Sequence, residues 1–203
     1  VAMDMHQPYI NAVRNHVPDA DSKICFDRFH VAAPIGKAVD VVRRKENKEL
    51  LRNGDKSLVG ARYLFLSSPE NLGTDGWIRL QDLRRATLRT SRAYALKEEA
   101  RSPWLWTWPL VAEIVWKRWL AWACRCRLAP MVKVGKMIRR HLYGIINAVR
   151  HRVTNALAES TNASIQRIKK RACGFRNKQA FRTAILFHCG ELDLHPAGAT
   201  HIN

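Results

Sequence analysis

The chain has 203 residues, a formal net charge of +18 and 47% hydrophobic residues, which is enough apolar material for one buried core and excludes a disordered tail. No stretch of about 18 uninterrupted apolar residues occurs, so the sequence predicts no membrane span. The five cysteines are odd in number and scattered, which favours reduced thiols in a cytoplasmic protein and excludes a zinc site at Cys124 and Cys126, because further ligands are missing.

The first part of the chain predicts a strand, a helix and a second strand. Val1–Met5 is an apolar run with Asp4 near its end, and Pro8 opens a helical pattern. Lys23–Phe26 is a second short apolar run, and Asp27 follows it. This order is typical of an α/β fold, in which polar residues at the carboxyl ends of strands are candidate site residues.

The middle of the chain is predicted to be helical. Ile35, Val39 and Val42 recur at spacings of three and four residues, and loops that contain glycine separate this helix from later ones. Six tryptophans follow between residues 104 and 122. Those at helical spacing, Trp116, Trp119 and Trp122, are predicted to pack helices together, and stacking of an exposed ring on a base is the alternative.

Positive charge is concentrated from Arg101 to Ile185, a segment with eighteen Lys and Arg but two carboxylates, Glu113 and Glu159. Such a field favours the backbone of a nucleic acid as the partner. A basic, tryptophan-rich protein that lies on an anionic membrane is the competing interpretation.

Three helices are predicted after Pro130. The first is amphipathic, and the second begins near Asn155, its predicted N-cap, and ends at Cys173–Gly174. Steps of three and four residues place Glu159 on the polar face of this second helix. The last helix begins at Asn177.

Asp4 and Glu159 are the candidate metal ligands. Mg²⁺ prefers oxygen ligands and binds through one or two carboxylates together with phosphate oxygens, and paired metal ions clamp the attacking and leaving oxygens in phosphoryl transfer. Each signal is weak alone, because a strand-end Asp is more often a cap and an exposed helical Glu is more often only solvated. No nucleophile elbow or glycine-rich phosphate loop indicates another chemistry.

Seven runs of sequence, in a fixed order, carry a resemblance to a known family: Val1–Met5, Phe26–His30, Arg62–Leu66, Ser68–Leu72, Thr154–Asn162, Ile168–Asn177 and Phe181–Leu194. From the first residue to about Leu194 the chain resembles the catalytic domain of bacterial insertion-sequence transposases of the ISL-three family. The resemblance implies a ribonuclease-H-like fold and a DDE triad, three acids that bind two Mg²⁺ ions for strand nicking and strand transfer. Asp4 matches the second acid and Glu159 the third.

The chain departs from the family pattern in two respects. The first acid of the triad would lie on a strand well before Val1, as would zinc-binding and helix-turn-helix regions that recognise transposon ends. We therefore expect the chain to be the C-terminal part of a transposase and to be inactive alone. In addition, Ser160–Thr161 follows Glu159 where the family often has Gly-Leu, and Glu191 stands where a second Gly is common.

Five basic residues near Glu159 are predicted to contact DNA phosphates without reading the base sequence: Arg167, Lys169, Lys170, Arg171 and Arg176. A solvated helix face is the alternative for each of them. In the Phe26–His30 motif we expect Asp27 to be a strand-end cap or to support the metal ligands, and His30 to have a structural role.

The sequence therefore predicts an α/β fold: an incomplete ribonuclease-H-like core with a large all-helical insertion. Its expected parts are a strand–helix–strand core (1–30), the helical insertion (31–153), the catalytic and closing helices (154–194) and a tail (195–203). The predicted function is Mg²⁺-dependent cleavage and transfer of DNA strands, with Mn²⁺ as the alternative ion. A non-catalytic, basic DNA-binding remnant is the alternative function. The expected partners are transposon-end and target DNA at the bacterial nucleoid, with no membrane, and a homo-oligomer is left open.

Overall fold

The structure, a computed structural model of the chain, describes residues 1–85, 88–153 and 156–190, with side chains from residue 160 onward in the last range. The chain divides into two compact units, Val1–Thr154 and Asn155–Asn203. The predicted tail, the predicted N-cap Asn155 and Glu191 lie outside the described residues.

The first unit begins with a segment whose elements are β1 Ala2–Met3, α1 Gln7–His16, α2 Ala20–Lys23 and β2 Cys25–Phe26. The two strands pair in parallel, with Met3 opposite Phe26. Pro8 lies in the first turn of α1, where its missing N–H would have no partner within the helix. The predicted order of strand, helix and strand is confirmed.

In the described part of the first unit, six helices follow: α3 Arg28–Arg52, α4 Arg62–Leu66, α5 Thr74–Arg85, α6 Arg89–Glu99, α7 Pro109–Arg125 and α8 Ala129–His151. Two 3₁₀ turns, Pro69–Asn71 and Ser102–Leu105, lie between them. The predicted helical positions Ile35, Val39 and Val42 are all buried in α3. The helix predicted from their spacing is therefore confirmed.

Helix α8 lies at the centre of the first unit. It packs against α3, α7 and β2, and its buried stripe includes Val134, Ile138 and Ile145, as the amphipathic sequence predicted. Gly144 permits the closest approach, because a Cβ at this position would lie 2.5 Å from ring carbons of Phe26. The backbone of α8 therefore lies directly over β2.

The predicted fold class, an α/β fold with an incomplete ribonuclease-H-like core, is wrong. Each strand has two residues and no further strand occurs in the described ranges, so the fold is mainly helical. The apolar run that ends at Phe26 is fully buried at Ile24 and Phe26, as a core strand would be. Helix α8 covers this run, however, and the burial of a short apolar run does not show whether it belongs to a large sheet.

Glu46 connects α3 with α6. Its carboxylate is buried and accepts hydrogen bonds from the backbone N of Arg89 (2.8 Å) and from the backbone N and Oγ1 of Thr90 (2.7 and 2.6 Å). The first N–H groups of a helix have no partner within the helix, and a negative charge is favourable there. Glu46 therefore caps α6 from a neighbouring helix.

Asn147 fixes α8 to the segment between α2 and β2. Its side-chain Nδ2 donates to the backbone oxygens of Asp21 (2.7 Å) and Ile24 (3.0 Å). Because Asn147 is buried, these bonds satisfy polar groups that would otherwise be unpaired in the core. The amide therefore sets the position of β2 along α8.

The second unit contains two helices in its described part, α9 Ala156–Arg171 and α10 Lys178–Cys189. Helix α9 is followed by a Schellman turn, in which N of Gly174 donates to O of Lys169 (3.0 Å) and Cys173 adopts a positive φ. Asn177 is the N-cap of α10 and accepts from the backbone N of Gln179 (2.8 Å). The predicted end of α9 at Cys173–Gly174 and the predicted start of α10 at Asn177 are both confirmed.

Candidate active-site carboxylates and basic surfaces

Asp4 and Asp27 occupy neighbouring positions at one edge of the strand pair. Because Met3 is opposite Phe26, each Asp is the first residue beyond its strand. Paired strands lie about 4.8 Å apart, and the carboxyl ends of parallel strands share an edge. The local sequence therefore brings two carboxylate-bearing residues to the same side of this small sheet.

Asp4 contacts a histidine in the first turn of α3. Nδ1 of His30 lies at ion-pair distance from the buried Oδ1 of Asp4. The Asp4 side chain as a whole is 47% exposed. Asp4 thus directs one oxygen toward the imidazole and leaves the rest of its carboxylate accessible from the surface.

Asp27 is the N-cap of α3. Its Oδ1 accepts a hydrogen bond from the backbone N of Phe29 (2.7 Å), which satisfies one of the unpaired donors at the helix start. The predicted cap is confirmed. By fixing the first turn of α3, Asp27 also fixes the backbone that carries His30.

The chemistry of this edge suits a hard divalent cation. Mg²⁺ takes oxygen ligands and needs only one or two carboxylates when phosphate oxygens and water supply the rest. Asp4 offers a part-exposed carboxylate whose Oδ1 is held against Nδ1 of His30. Among the described residues, no group of three or more His, Cys, Asp or Glu side chains is assembled for a metal ion.

Glu159 belongs to α9, in the second unit. Its backbone is helical, as predicted, and its side chain lies outside the described part of the chain. Asp4 and Glu159 thus come from separate compact units.

The five predicted phosphate-contacting residues belong to the second unit, and all are exposed: Arg167, Lys169, Lys170, Arg171 and Arg176. Arg167 and Arg171 line a cavity of about 430 Å³, together with Phe175 and His188. Arg167 donates to Oγ of Ser164 (3.0 Å). None of the five forms an ion pair with a carboxylate among the described side chains, so this surface keeps its positive charge.

A second cavity, of about 420 Å³, lies in the first unit beside the first turns of α3. Its charged lining is Arg28, Lys97 and Arg101. Arg28 belongs to the Phe26–His30 motif, whereas the sequence did not single out a role for Lys97 or Arg101. Arg101 forms ion pairs with Glu70 and Glu98. The hydrogen bond from Arg101 lowers the pKa of Glu70.

The Ser68–Leu72 motif begins beside this second cavity. Ser68 lines the cavity, and the following residues make the 3₁₀ turn that presents Glu70 to Arg101. Nζ of Lys97 donates to O of Ser67 (3.0 Å) and so fixes the start of the motif to α6. The motif was visible in the sequence, but its partners lie about thirty residues further along the chain and follow no local pattern.

The tryptophans divide into two groups. Trp116 and Trp119 are buried and meet edge to face at 5.5 Å, and Nε1 of Trp119 donates to O of Leu96 (2.8 Å). The predicted packing role of these two rings is confirmed. Trp106, Trp108 and Trp122, in contrast, are exposed, so the packing role predicted for Trp122 is wrong.

None of the helices that the structure describes has the length and apolar character needed to cross a bilayer. This finding agrees with the sequence, in which charged residues interrupt the apolar runs.

Comparison with known proteins finds relatives along most of the chain. The model of the ISL-three transposase family, described as "Transposase", matches residues 1–185. The chain is 30% identical over 184 residues to the transposase for insertion sequence element IS1001 of Bordetella parapertussis, an alignment that covers 89% of this chain and 45% of that protein. It is 30% identical over 203 residues to the transposase for insertion sequence element IS1557 of Mycobacterium tuberculosis, with the same two shares.

No solved structure matches the chain significantly. The chain spans about half the length of the curated relatives it matches. The family match nevertheless covers both compact units, from β1 into α10. The chain therefore belongs to the ISL-three family of transposases.

Proposed function

We propose that this chain contributes two of the acids, Asp4 and Glu159, to the catalytic centre of a DNA transposase that cleaves DNA strands and joins them to a target. Membership of the family supports this function, and the relatives from Bordetella parapertussis and Mycobacterium tuberculosis are named as transposases of insertion sequences. The observation that carries the proposal is Asp4 itself, a part-exposed carboxylate directly after a strand, with one oxygen held against Nδ1 of His30.

Asp4 and Glu159 would hold Mg²⁺, or Mn²⁺ in its place. When bound, such an ion stabilises the negative charge that develops on a phosphodiester during in-line displacement. His30 positions the Asp4 carboxylate through its Nδ1 contact. Asp27 supports this arrangement indirectly, because it caps the helix turn to which His30 belongs.

The exposed cations of the second unit would position the DNA. Arg167, Lys169, Lys170, Arg171 and Arg176 follow Glu159 closely in the sequence, and phosphate contacts from such side chains fix a duplex without reading its bases. Their lack of ion-pair partners among the described carboxylates leaves their full charge available for phosphates. Their position after Glu159 would direct the DNA backbone toward a metal held by that acid.

Two acids are fewer than the three that the family resemblance implies. We therefore expect this chain alone to bind DNA and a divalent ion but not to nick DNA. The alternative function is a non-catalytic, basic DNA-binding remnant. Metal binding is the property that separates the two functions.

The test is Mn²⁺ binding to the DNA-bound chain, measured by electron paramagnetic resonance. We expect Asp4→Asn and Glu159→Gln each to weaken Mn²⁺ binding at least about tenfold, because each removes a charged oxygen ligand. Asp75→Asn, which removes an exposed carboxylate in the first turn of α5, is the matched control and should leave binding unchanged.

Equal Mn²⁺ binding by all four proteins would contradict the metal site and favour the DNA-binding remnant. Plasmid nicking by the chain alone that disappears in Asp4→Asn would contradict the expected inactivity while supporting the acid's role. Nicking assays in Mg²⁺ with the same variants provide this second readout.

A further inference from the structure

The first unit has a row of exposed cations on α8, whereas the predicted DNA contacts belong to the second unit. Lys133, Lys136 and Arg140 are exposed and follow one another at spacings of three and four residues, so they share one face of the helix. Arg127 lies in the turn between α7 and α8 and is also exposed. These four residues are called the α8 basic ridge below.

Part of the α8 basic ridge surrounds a surface cavity. Arg127, Lys133 and Lys136 line a volume of about 480 Å³, and Ala129 and Val132 complete the lining. No lining residue is acidic. Cations gathered around a concave, partly apolar surface concentrate the positive potential there and attract anions.

The α8 basic ridge has no neutralising partner among the described carboxylates. The ion pairs of the described residues involve other cations, and the sequence gives the reason, since no Asp or Glu occurs between Glu113 and Glu159. Helix α3 is different, because Asp40 lies between its exposed cations and pairs with Arg43 and Arg44. The ridge therefore differs from an ordinary solvated helix face, because it carries positive charges without neighbouring negative ones.

The backbone conformation at position 127 does not favour an arginine. The φ of Arg127 is 60°, in the left-handed region that Gly and Asn adopt more readily than residues with long side chains. The backbone alone would favour one of those two residues.

We propose that the α8 basic ridge is a second phosphate-binding surface, which holds the backbone of a DNA duplex. The inference rests on the proposed function, which supplies DNA as the partner, and it adds a contact in the unit that does not contain Arg167–Arg176. At 1.5 Å per residue, Lys133 and Arg140 are about 10 Å apart along the helix axis. Duplex DNA carries one charge per about 1.7 Å of its axis, so a row of this length can meet several phosphates.

The test compares two variants of the 203-residue chain that lose the same charge. The ridge variant combines Arg127→Asn, Lys133→Gln, Lys136→Gln and Arg140→Gln, and Asn suits the left-handed position of residue 127. The control variant changes four exposed cations of α3 that form no ion pair among the described residues, combining Lys37→Gln, Lys45→Gln, Lys48→Gln and Arg52→Gln. Circular dichroism and thermal melting establish that both variants are folded.

The measurement is the affinity for a short duplex of arbitrary sequence, by fluorescence anisotropy, over a series of salt concentrations. Each phosphate contact contributes about 0.9 to the slope of log K against log salt concentration. We expect the ridge variant to lose about three units of this slope and at least about tenfold in affinity at low salt. The control variant should lose less than about one unit of slope.

Equal losses in the ridge and control variants would overturn the ridge proposal, because total charge alone would then account for binding. The proposed function would still stand after that result if DNA binding were abolished by neutralising five cations of the second unit: Arg167, Lys169, Lys170, Arg171 and Arg176. Failure of the unmodified chain to bind DNA would overturn both proposals. Binding to phosphatidylserine vesicles in place of DNA, lost only in the ridge variant, would assign the surface to a membrane and overturn the DNA proposal.

If the fourfold ridge variant melts early, Lys133→Gln and Lys136→Gln are measured singly. Both side chains are exposed, so their loss should not affect folding. Each single change is expected to lower the salt slope by about one unit, and no change in either would overturn the proposal.

Discussion

Gly144 is the residue at which a single added carbon should be most harmful. A Cβ there would lie 2.5 Å from two ring carbons of Phe26 and 3.3 Å from O of Ile24, and both neighbours are held in the core. Overpacking of this kind destabilises proteins by about 1–3 kcal/mol. We expect Gly144→Ala to lower the free energy of unfolding by that amount, as measured by urea denaturation.

Gly36 provides the matched control for this prediction. It lies inside α3, and an added Cβ would have no atom within 4 Å. Ala is favoured over Gly by up to about 1 kcal/mol in a helix interior, so Gly36→Ala should leave stability unchanged or raise it slightly. Equal effects of the two substitutions would show that α8 does not lie as closely against β2 as the structure has it.

Tyr94 gives a prediction for alkaline pH. Burial is the main cause that raises the pKa of its phenol from 10.0 to about 12. Between these values the unfolded chain loses the phenolic proton and the folded chain keeps it, so stability must fall as pH rises. A shift of this size corresponds to at most about 2.7 kcal/mol.

The check is urea denaturation of the unmodified chain and of Tyr94→Phe at pH values from about 9 to 12. Titration of lysines affects both proteins alike, so the difference between them isolates the phenol. We expect the stability of Tyr94→Phe to fall less steeply over this range. A difference that stays constant with pH would show that the phenol titrates normally in the folded chain.

Residues with local partners were predictable from the sequence, and residues with distant partners were not. Asp27 and Asn177 cap the helices that begin immediately after them, and capping residues are recognised from two or three neighbours. His30 was expected to be structural, yet it contacts Asp4, the candidate metal ligand. That contact depends on the pairing of β1 with β2, which no pattern around residue 30 reveals.

At the scale of elements, the start of α6 depends on Glu46. This buried carboxylate accepts hydrogen bonds from Arg89 and Thr90, and Glu46→Gln would remove its charge and turn one oxygen acceptor into a donor. A buried helix end that loses such a partner costs about 1–3 kcal/mol. We expect Glu46→Gln to lower the free energy of unfolding by this amount in urea denaturation.

Glu49→Gln is the control, since Glu49 also contacts Arg89 but is half exposed. Exposed ion pairs contribute at most about 1 kcal/mol, so this change should have a small effect. If Glu49→Gln proved the more damaging of the two, the ion pair rather than the cap would hold α6 to α3.

Helices and their ends were predicted better than the sheet. An amphipathic helix such as α8 repeats its pattern over many residues, whereas Lys23–Phe26 offers four residues in which to distinguish a sheet from any other buried segment. The ribonuclease-H-like core was an implication of the family resemblance, and the described residues contain no strand beyond β1 and β2. A buried strand covered by a helix occurs in both kinds of fold, so the burial of Ile24 and Phe26 could not separate them.

At the scale of the whole molecule, charge and family were predictable and the candidate centre was only partly so. The net charge of +18 does not depend on the fold, and the motif series led to the same family that the comparisons identify. The sequence assigns Asp4 and Glu159 to one centre only through the family resemblance, because most of the first unit separates them in the chain. The spacing of Lys133, Lys136 and Arg140 was readable in the sequence, whereas the cavity that Arg127 lines with Lys133 and Lys136 required the structure.

The two units should also differ in stability. In the first unit α8 has buried residues along its whole length, whereas none of the described side chains of α9 and α10 is buried. Local opening is easiest where few apolar groups are removed from water. In hydrogen–deuterium exchange of the free chain, we therefore expect amides of α8 to be protected and those of α9 to exchange at least about a hundredfold faster. Added duplex DNA should slow exchange in α9 if Arg167–Arg176 bind it, whereas protection of α9 equal to that of α8 without DNA would contradict the expectation.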